Sequence, residues 1–287
     1  VSDQLTWIAE VLLEACVRIA RADAEQRHGR ALCGEAEGEL RDCHMAVIGY
    51  GKLGGLELGY GSDLDLVFVH DASGAIQRTE GPSVVEAGTM FARMTRRIVH
   101  LLATPTGSGV LYEVDTRLRP SGKGGLLVTS LAAFESYQRE RAWTWEHQAL
   151  LRARAVAGDP EVRRAFEALR VRVLVEAVRR DTLRGEVAAM RERMRSELST
   201  GSAESFDLKQ DAGGVADIEF LVQYLVLQHA ADHPGLLRWP DNVRQIEDLR
   251  DAGRLSTEDG ALLHQAYLDF RQRLHRLALA NAPGHAP

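Results

Sequence analysis

Cysteine is scarce in this chain of 287 residues. The three present, Cys16, Cys33 and Cys43, form no C-x-x-C pair. That excludes a disulfide framework and fits a reduced, cytoplasmic protein. No cluster of His and Cys accompanies them, so zinc-site material is also missing. No apolar run approaches 18 residues, which leaves no transmembrane helix and gives no reason to expect a membrane partner. The start, VSDQLTWIAE, has no basic region followed by an apolar block, so no signal peptide is read. It also has no Met, which points to a piece of a longer protein. Basic charge is not in excess: Lys and Arg total 35 against 41 Asp and Glu, a net charge of −6, which argues against a general nucleic-acid binder. There is no long internal repeat and no G-x-x-x-x-G-K-[ST] phosphate loop. What remains is ordinary globular material, 45% hydrophobic and 26% charged, long enough for two domains.

Periodicity divides the chain. Leu5, Ile8, Leu12, Ala15 and Ile19 recur at helical spacing, predicting a helix over 3–28. Residues 44–49 and 64–69 read as strands, 82–102 as a helix, and 109–116 (GVLYEVDT) as a third strand by its alternation. A loop, SGKGG, precedes a short strand at 126–128. From Ser130, a good N-cap, helical texture is read without a break to Gly158. Further helices are expected at 161–178, 180–198, 216–231, 241–252 and 257–280, the last opening on a capping-box-like Ser256 and Asp259. The expected architecture is α+β: a small mixed β-sheet with flanking helices over 1–155, then an α-helical bundle over 156–287. The arginines of 152–195 read as solvated helix faces, a subset of them available to an acidic protein partner.

The stretch VIGYGKLGGLELGYGSDLDLVFVH, residues 47–70, carries the chemistry. Its Gly49, Gly51 and Gly54 spell G-x-G-x-x-G after an apolar run, the outline of a dinucleotide turn. That turn must open a long helix onto the pyrophosphate. Between Gly54 and Asp63 stand only eight residues, GLELGYGS, three of them Gly. Each interior Gly costs a helix roughly 1 kcal/mol relative to Ala, so no crossover helix fits and the nicotinamide reading falls. Asp63 and Asp65 remain, two apart at the head of a strand and therefore on one face. Ionised carboxylates that converge repel unless a cation lies between them, and Mg²⁺ suits oxygen ligands shared with phosphates. The bland alternative, a solvated D-x-D at a strand edge, is outweighed by the glycine-rich turn beside it, whose backbone can approach a phosphate chain closely.

In YEVDTRLRPSGKGG, Asp115, Arg117 and Arg119 share a strand face by period two, with Glu113 added if the strand is regular. A third carboxylate would complete a two-metal site for in-line displacement. Arg117, Arg119 and Lys123 either serve phosphate charge or are surface ion-pair partners. In DLKQDAGGVADIEF, Asp217 and Glu219 either complement a helix dipole or, with Lys209, face a nucleotide. Trp143 and Trp145 read as packing residues, with adenine stacking as the alternative.

Tyr50-Gly51-Lys52, ten residues and Asp63-Leu64-Asp65-Leu66 resemble the signature of polymerase-β-type nucleotidyltransferases, except that Lys52 stands where a small residue is usual. GYGKLGGLELGYGSDLDLVFVHD, YEVDTRLRPSGKGG, WTWEHQALLRARAVAGD and KQDAGGVADIEFLVQYLVL together resemble the blocks of the glutamine synthetase adenylyltransferase family over about residues 45–230. The wording is closer to the C-terminal adenylyltransferase domain than to the N-terminal deadenylylating one. The resemblance implies a polymerase-β-like core and transfer of AMP from ATP to a tyrosine of glutamine synthetase, turning nitrogen assimilation down. It implies Asp63, Asp65 and Asp115 as metal ligands for Mg²⁺ (or Mn²⁺), with Asp115 also lowering the pKa of the tyrosine hydroxyl or taking its proton. Gly51, Lys52 and Ser62 would lie at the triphosphate. It implies a PII-type regulatory protein as a partner of the full-length protein, whose second domain and regulator-responsive linker would be missing here. Two alternatives stay open: phosphorolytic deadenylylation, and a regulatory module that binds nucleotide and partner without turnover.

Overall fold

The computed structural model describes residues 1–201 and 205–286. The chain divides into two compact units: Val1–Leu58, Ser62–Ala142 and Ala153–Arg170 form one; Gly59–Gly61, Trp143–Arg152 and Val171–Pro287 form the other.

The first unit opens with α1 (Ser2–His28), whose Ala9, Leu13, Val17 and Ala20 turn one face inward. Then come β1 (Ala31–Gly34), β2 (Arg41–Asp42), β3 (Met45–Gly49), a single-turn α2 (Gly51–Gly54), β4 (Leu64–His70), β5 (Ile76–Thr79) and α3 (Ala87–Ala103). The unit continues with β6 (Val114–Asp115), β7 (Val128–Ser130), α4 (Leu131–Glu140), β8 (Arg154–Gly158) and the start of α6 (Pro160–Glu176). β6, β4, β3 and β8 lie in that order in a five-stranded sheet, and β7 also pairs with β4. β3 runs antiparallel to β4, from Met45 opposite His70 to Gly49 opposite Leu66. β6 and β7 run parallel to β4. A separate three-stranded sheet has the order β2-β1-β5. α1 and α3 pack together over the core formed by Val47, Leu64, Leu66, Phe68, Phe91 and Ile98.

The second unit is helical: α5 (Thr144–Leu151), the remainder of α6, α7 (Leu183–Leu198), α8 (Val215–His229), α9 (Asn242–Asp251) and α10 (Thr257–Leu279). A two-residue ladder joins β9 (Phe206–Asp207) to β10 (His285–Ala286). Its core includes Val222, Val226, Leu227, Ile246, Leu249 and Tyr267. Ser256 caps α10, its Oγ accepting from the backbone N of Asp259 at 3.0 Å.

The α+β class stands, with several local corrections. The helix expected over 130–158 is three elements: α4, α5 and the strand β8, which pairs with β3. Ala155, Val156 and Ala157 are all buried, and an apolar run buried on both sides carries no period to separate strand from helix. The strand expected over 109–116 is only Val114–Asp115. Val110 and Leu111 alternate as a strand would but are exposed, and only the part beside β4 is laddered. The helix expected from 82 begins at Ala87, because the preceding backbone bonds to β5: Thr79 N donates to Val85 O at 2.9 Å. Three of the arginines assigned to solvated faces, Arg152, Arg170 and Arg191, are buried and paired. Trp143 and Trp145 are exposed, at 67% and 39%, rather than packed.

Candidate metal centre and nucleotide site

Leu64 and Leu66 of β4 are fully buried, so period two turns Asp63 and Asp65 together to the opposite face. Asp115 stands directly across from Asp65 in the parallel β4–β6 register. Parallel neighbours in register carry their side chains on one face, which is why two residues fifty positions apart meet. Ligand oxygens of Asp63, Asp65 and Asp115 lie within 4.8 Å of one another. They are the one cluster of this kind among the described residues.

The glycine turn is built around this cluster. The backbone N of Tyr50 donates to Asp65 O at 2.9 Å, fixing the end of β3 to β4. Gly51 then turns with φ 53°, in the left-handed region. A β-carbon at Gly51 would stand 2.4 Å from Asp65 Oδ2, so the position needs glycine for conformation and for space. Lys52 Nζ reaches Ser62 Oγ at 3.5 Å, a long contact joining the two ends of the loop.

Electrostatics separates the carboxylates. Burial pushes the Asp65 carboxyl up to about 6; the charges of Asp63 and Asp115 push the same way, against Lys52 and Arg117. Asp115 is held below the ordinary range, first by the side-chain hydrogen bond from Arg117, with the Arg117 backbone N also donating. Arg117 gives Nε to Asp115 Oδ2 and its backbone N to Oδ1, both at 2.7 Å.

An open cleft of about 450 Å³ is lined by Asp63, Glu113, Asp115, Arg117, Arg119 and Lys123, with Thr116. Arg119 is spent on the loop itself: Nη1 donates to Thr116 O at 2.7 Å and Thr116 Oγ1 at 2.9 Å, and Nε to Gly125 O at 3.2 Å. The same loop needs Gly125, where a β-carbon would stand 1.9 Å from Pro120 O. Thr116 was not singled out from the sequence; its place between Asp115 and Arg117 was the available signal.

Gly51, Lys52, Ser62, Arg117, Arg119 and Lys123 thus accompany the three aspartates at one end of the five-stranded sheet. Lys209, Asp217 and Glu219 belong to the helical unit. Lys209 is exposed there. Asp217 accepts from Arg191 Nε at 2.6 Å, Arg195 Nη2 at 3.1 Å and Gly213 N at 2.7 Å. Glu219 accepts from Arg152 Nη1 at 3.0 Å and the Tyr267 hydroxyl at 3.2 Å.

A sequence profile described as Glutamate-ammonia ligase adenylyltransferase matches residues 1–169, more than half of the chain. The chain belongs to the glutamate-ammonia ligase adenylyltransferase family. Residues 181–283 match a second profile, described as GlnD PII-uridylyltransferase, so the helical part is also similar to that family. The chain is 55% identical over 279 residues to a bifunctional glutamine synthetase adenylyltransferase/adenylyl-removing enzyme of Thioalkalivibrio sulfidiphilus, covering 97% of this chain and 29% of that protein. It is 49% identical to the proteins of the same description from Pseudomonas putida and Pseudomonas aeruginosa, covering 99% of the chain and 30% of each relative. The chain therefore spans less than a third of the length of these adenylyltransferase-family relatives. Among the described residues, no helix is long and apolar enough to cross a membrane.

Proposed function

We propose that this chain is an adenylyltransferase module that moves AMP from ATP to a tyrosine hydroxyl of glutamine synthetase. The convergence of Asp63, Asp65 and Asp115, in a chain of this family, carries the reading. Three carboxylates form an all-oxygen donor set suited to Mg²⁺ or Mn²⁺. The fit is supported by the Asp65 carboxyl, which burial first and then the charges of Asp63 and Asp115 lift to about 6; a divalent cation offsets both penalties on the ionised form. Bound to these ligands, divalent ions supply charge neutralisation at the triphosphate and activation of the attacking oxygen for in-line displacement.

The chain's own groups do the rest. In the transfer, the tyrosine oxygen bonds to the α-phosphorus, the bond to the bridging oxygen breaks, and pyrophosphate leaves. Asp115, kept ionised by Arg117, accepts the hydroxyl proton. The Cβ-free turn at Gly51, with Lys52 and Ser62, lies against the triphosphate. Arg117 and Lys123 offer positive charge to the leaving group, while Arg119 holds the loop that presents them. In the helical unit, Lys209 is the candidate for a further nucleotide contact; Asp217 and Glu219 have their acceptors engaged by arginines. The corresponding domain division is 1–155 for nucleotidyl transfer and 156–287 for the helical part.

A second direction has its own support, because the relatives' names include adenylyl removal. There phosphate attacks the α-phosphorus and releases tyrosine and ADP. Glutamine synthetase is the proposed protein substrate, and a PII-type protein the proposed regulator of the longer polypeptide. The test is transfer of labelled AMP from ATP to purified glutamine synthetase, run beside ADP formation from adenylylated enzyme and phosphate. Label transfer that disappears in Asp63→Asn and Asp65→Asn is the expected result. Transfer by the double variant at the parent rate sinks the reading, and ADP formation alone reverses its direction.

A further inference from the structure

α3 carries three arginines and no carboxylate. Two of them, Arg93 and Arg97, stand one turn apart and line an open concavity of about 470 Å³ against the second half of α1. The lining comes from the first unit alone and includes none of the residues assigned to the metal site. Its floor is apolar: Ala20, Ala24 and Met94 are buried. The charged part of α1 here is Asp23, Arg27 and His28. The two helices run antiparallel at this place. Asp23 meets Arg97, and about one turn further along α1 His28 meets Arg93, one turn back along α3.

One carboxylate thus stands against three guanidinium groups, which leaves two positive charges unopposed. Asp23 is taken by Arg97 Nε at 2.9 Å. Arg93 is seated on a histidine instead: its Nη1 donates to His28 Nε2 at 2.7 Å, while His28 Nδ1 donates to Ser83 O at 2.7 Å. A carbonyl only accepts and a guanidinium only donates, so the ring carries its one proton on Nδ1 and is neutral. Only 6% of His28 is exposed, so this ring fixes Arg93 in place without offsetting its charge. The Arg27 guanidinium has no partner among the described contacts. Glu86, just before α3, and Arg96, on it, lie outside the lining and have opposite signs, so they leave the balance as it is. Bare carbonyls at the end of α1 would repel an anion, but they are covered. Glu25 O accepts from Gly29 N at 2.8 Å, Arg27 O from Ser83 N at 3.3 Å and His28 O from Gly81 N at 2.7 Å.

We infer that this concavity binds a small phosphate monoester as its dianion, with the phosphate oxygens between Arg27 and Arg93 and the body of the molecule over Ala20, Ala24 and Met94. Guanidinium forks match phosphate oxygens in pairs, and two unopposed charges attract a dianion more strongly than a monoanion. The site stands whether or not the chain transfers AMP.

Glycerol 3-phosphate is the probe, titrated into the whole chain carrying ¹³C-methyl methionine. Metal-free buffer at pH 7.5 keeps divalent ions from recruiting it to the aspartates and keeps the phosphate, whose second pKa is about 6, dianionic. Of the five methionines, Met94 alone lines this concavity. The expected result is saturable movement of the Met94 methyl, larger than that of the other four, with Kd on the order of 1 mM for so small a ligand. Glycerate, a monoanion of similar body, should bind about fivefold or more weakly, and glycerol not at all. Arg27→Gln and Arg93→Gln, both at exposed positions, should each weaken glycerol 3-phosphate about fivefold. Asp23→Asn removes the one carboxylate and should tighten binding about threefold, a direction that damage to the fold does not produce. The inference is overturned if the Met94 shift does not saturate, if glycerate binds as well as the phosphate, if either arginine variant leaves Kd unchanged, or if Asp23→Asn weakens binding. Cosedimentation of the parent with phosphatidate vesicles that is lost in Arg27→Gln would put the phosphate on a lipid surface and overturn the free ligand.

Discussion

A β-carbon on Gly51 would stand 2.4 Å from the Oδ2 of Asp65. The turn and the carboxylate have therefore been fitted to each other. Gly51→Ala meets two penalties: a left-handed φ of 53°, which costs a non-glycine residue about 1 kcal/mol, and a close contact that the Asp65 carboxylate must move to relieve. The expected outcome is a displaced Asp65, a loss of about 1–3 kcal/mol in urea unfolding, and metal affinity reduced tenfold or more. Calorimetric titration with Mn²⁺ beside the unfolding curve measures both. Unchanged affinity would show that the turn does not set the carboxylate.

The raised Asp65 makes a signed prediction about pH. Its folded-state carboxyl titrates near 6 against an ordinary 3.8, so between those values the folded chain binds more protons than the unfolded one. Metal-free stability must then fall as pH rises from about 4 through 6, by at most about 3 kcal/mol from this group, and stay lower above it. Asp65→Asn removes the burden. In EDTA at pH 7.5 it should be more stable than the parent, while at pH 4 the two should converge. Added Mg²⁺ should stabilise the parent alone. A parent whose stability is flat across this window in EDTA refutes the raised Asp65 carboxyl.

Arg117 tests a different balance. Its side chain is 67% exposed, so solvent screens its ion pair with Asp115 and the pair contributes little to folding. Arg117→Gln should leave the unfolding midpoint nearly unchanged. The same change frees Asp115 from the hydrogen bond that depresses its pKa, so that carboxyl should titrate higher. Because the parent's folded-state pKa is depressed, its contribution to stability is present above about pH 4 and is lost as pH falls through the lower folded value. The variant should lose that acid resistance, readable by NMR titration of the Asp115 carboxyl. If Arg117 also meets the triphosphate, KM for ATP rises about tenfold in the same protein. A large fall in stability at pH 7 would contradict the exposed-pair account.

The carboxylate cluster was more legible in the sequence than the strands around it. Asp63 and Asp65 were legible because period two beside buried Leu64 and Leu66 leaves them one face to share. Eight residues with three glycines were enough to reject a dinucleotide helix: residues 55–62 hold no helix, and only the single turn Gly51–Gly54 precedes them. That Asp115 is the third carboxylate is a matter of register: Asp65 lies opposite Asp115 because β6 runs parallel to β4, and no local pattern fixes a pairing across fifty residues. β8 was illegible for the opposite reason, since Ala155, Val156 and Ala157 are buried on both faces and show no alternation. Arg152 and Arg191 looked like solvent-facing charges because helical spacing cannot reveal a carboxylate on another helix.

That last pairing gives the final prediction. Arg191 is only 7% exposed in its side chain and directs Nε to Asp217 Oδ1 at 2.6 Å and Nη2 to Gln210 O at 2.7 Å. Asp217 receives Gly213 N and Arg195 as well. Burial raises its pKa, but these donors outweigh burial and leave it depressed, so it stays ionised at neutral pH. Asp217→Ala strands the Arg191 cation among buried neighbours, and a buried charge that loses its partner costs about 3–5 kcal/mol. Asp217→Asn keeps one acceptor oxygen and should lose less. If Asp217 is a structural counter-ion, both variants lower the unfolding midpoint in that order, while KM for ATP of the folded fraction stays within about twofold. If it serves nucleotide instead, KM rises in Asp217→Asn with stability retained. The ratio of the two losses, read from urea unfolding and ATP titration of the same samples, decides between them.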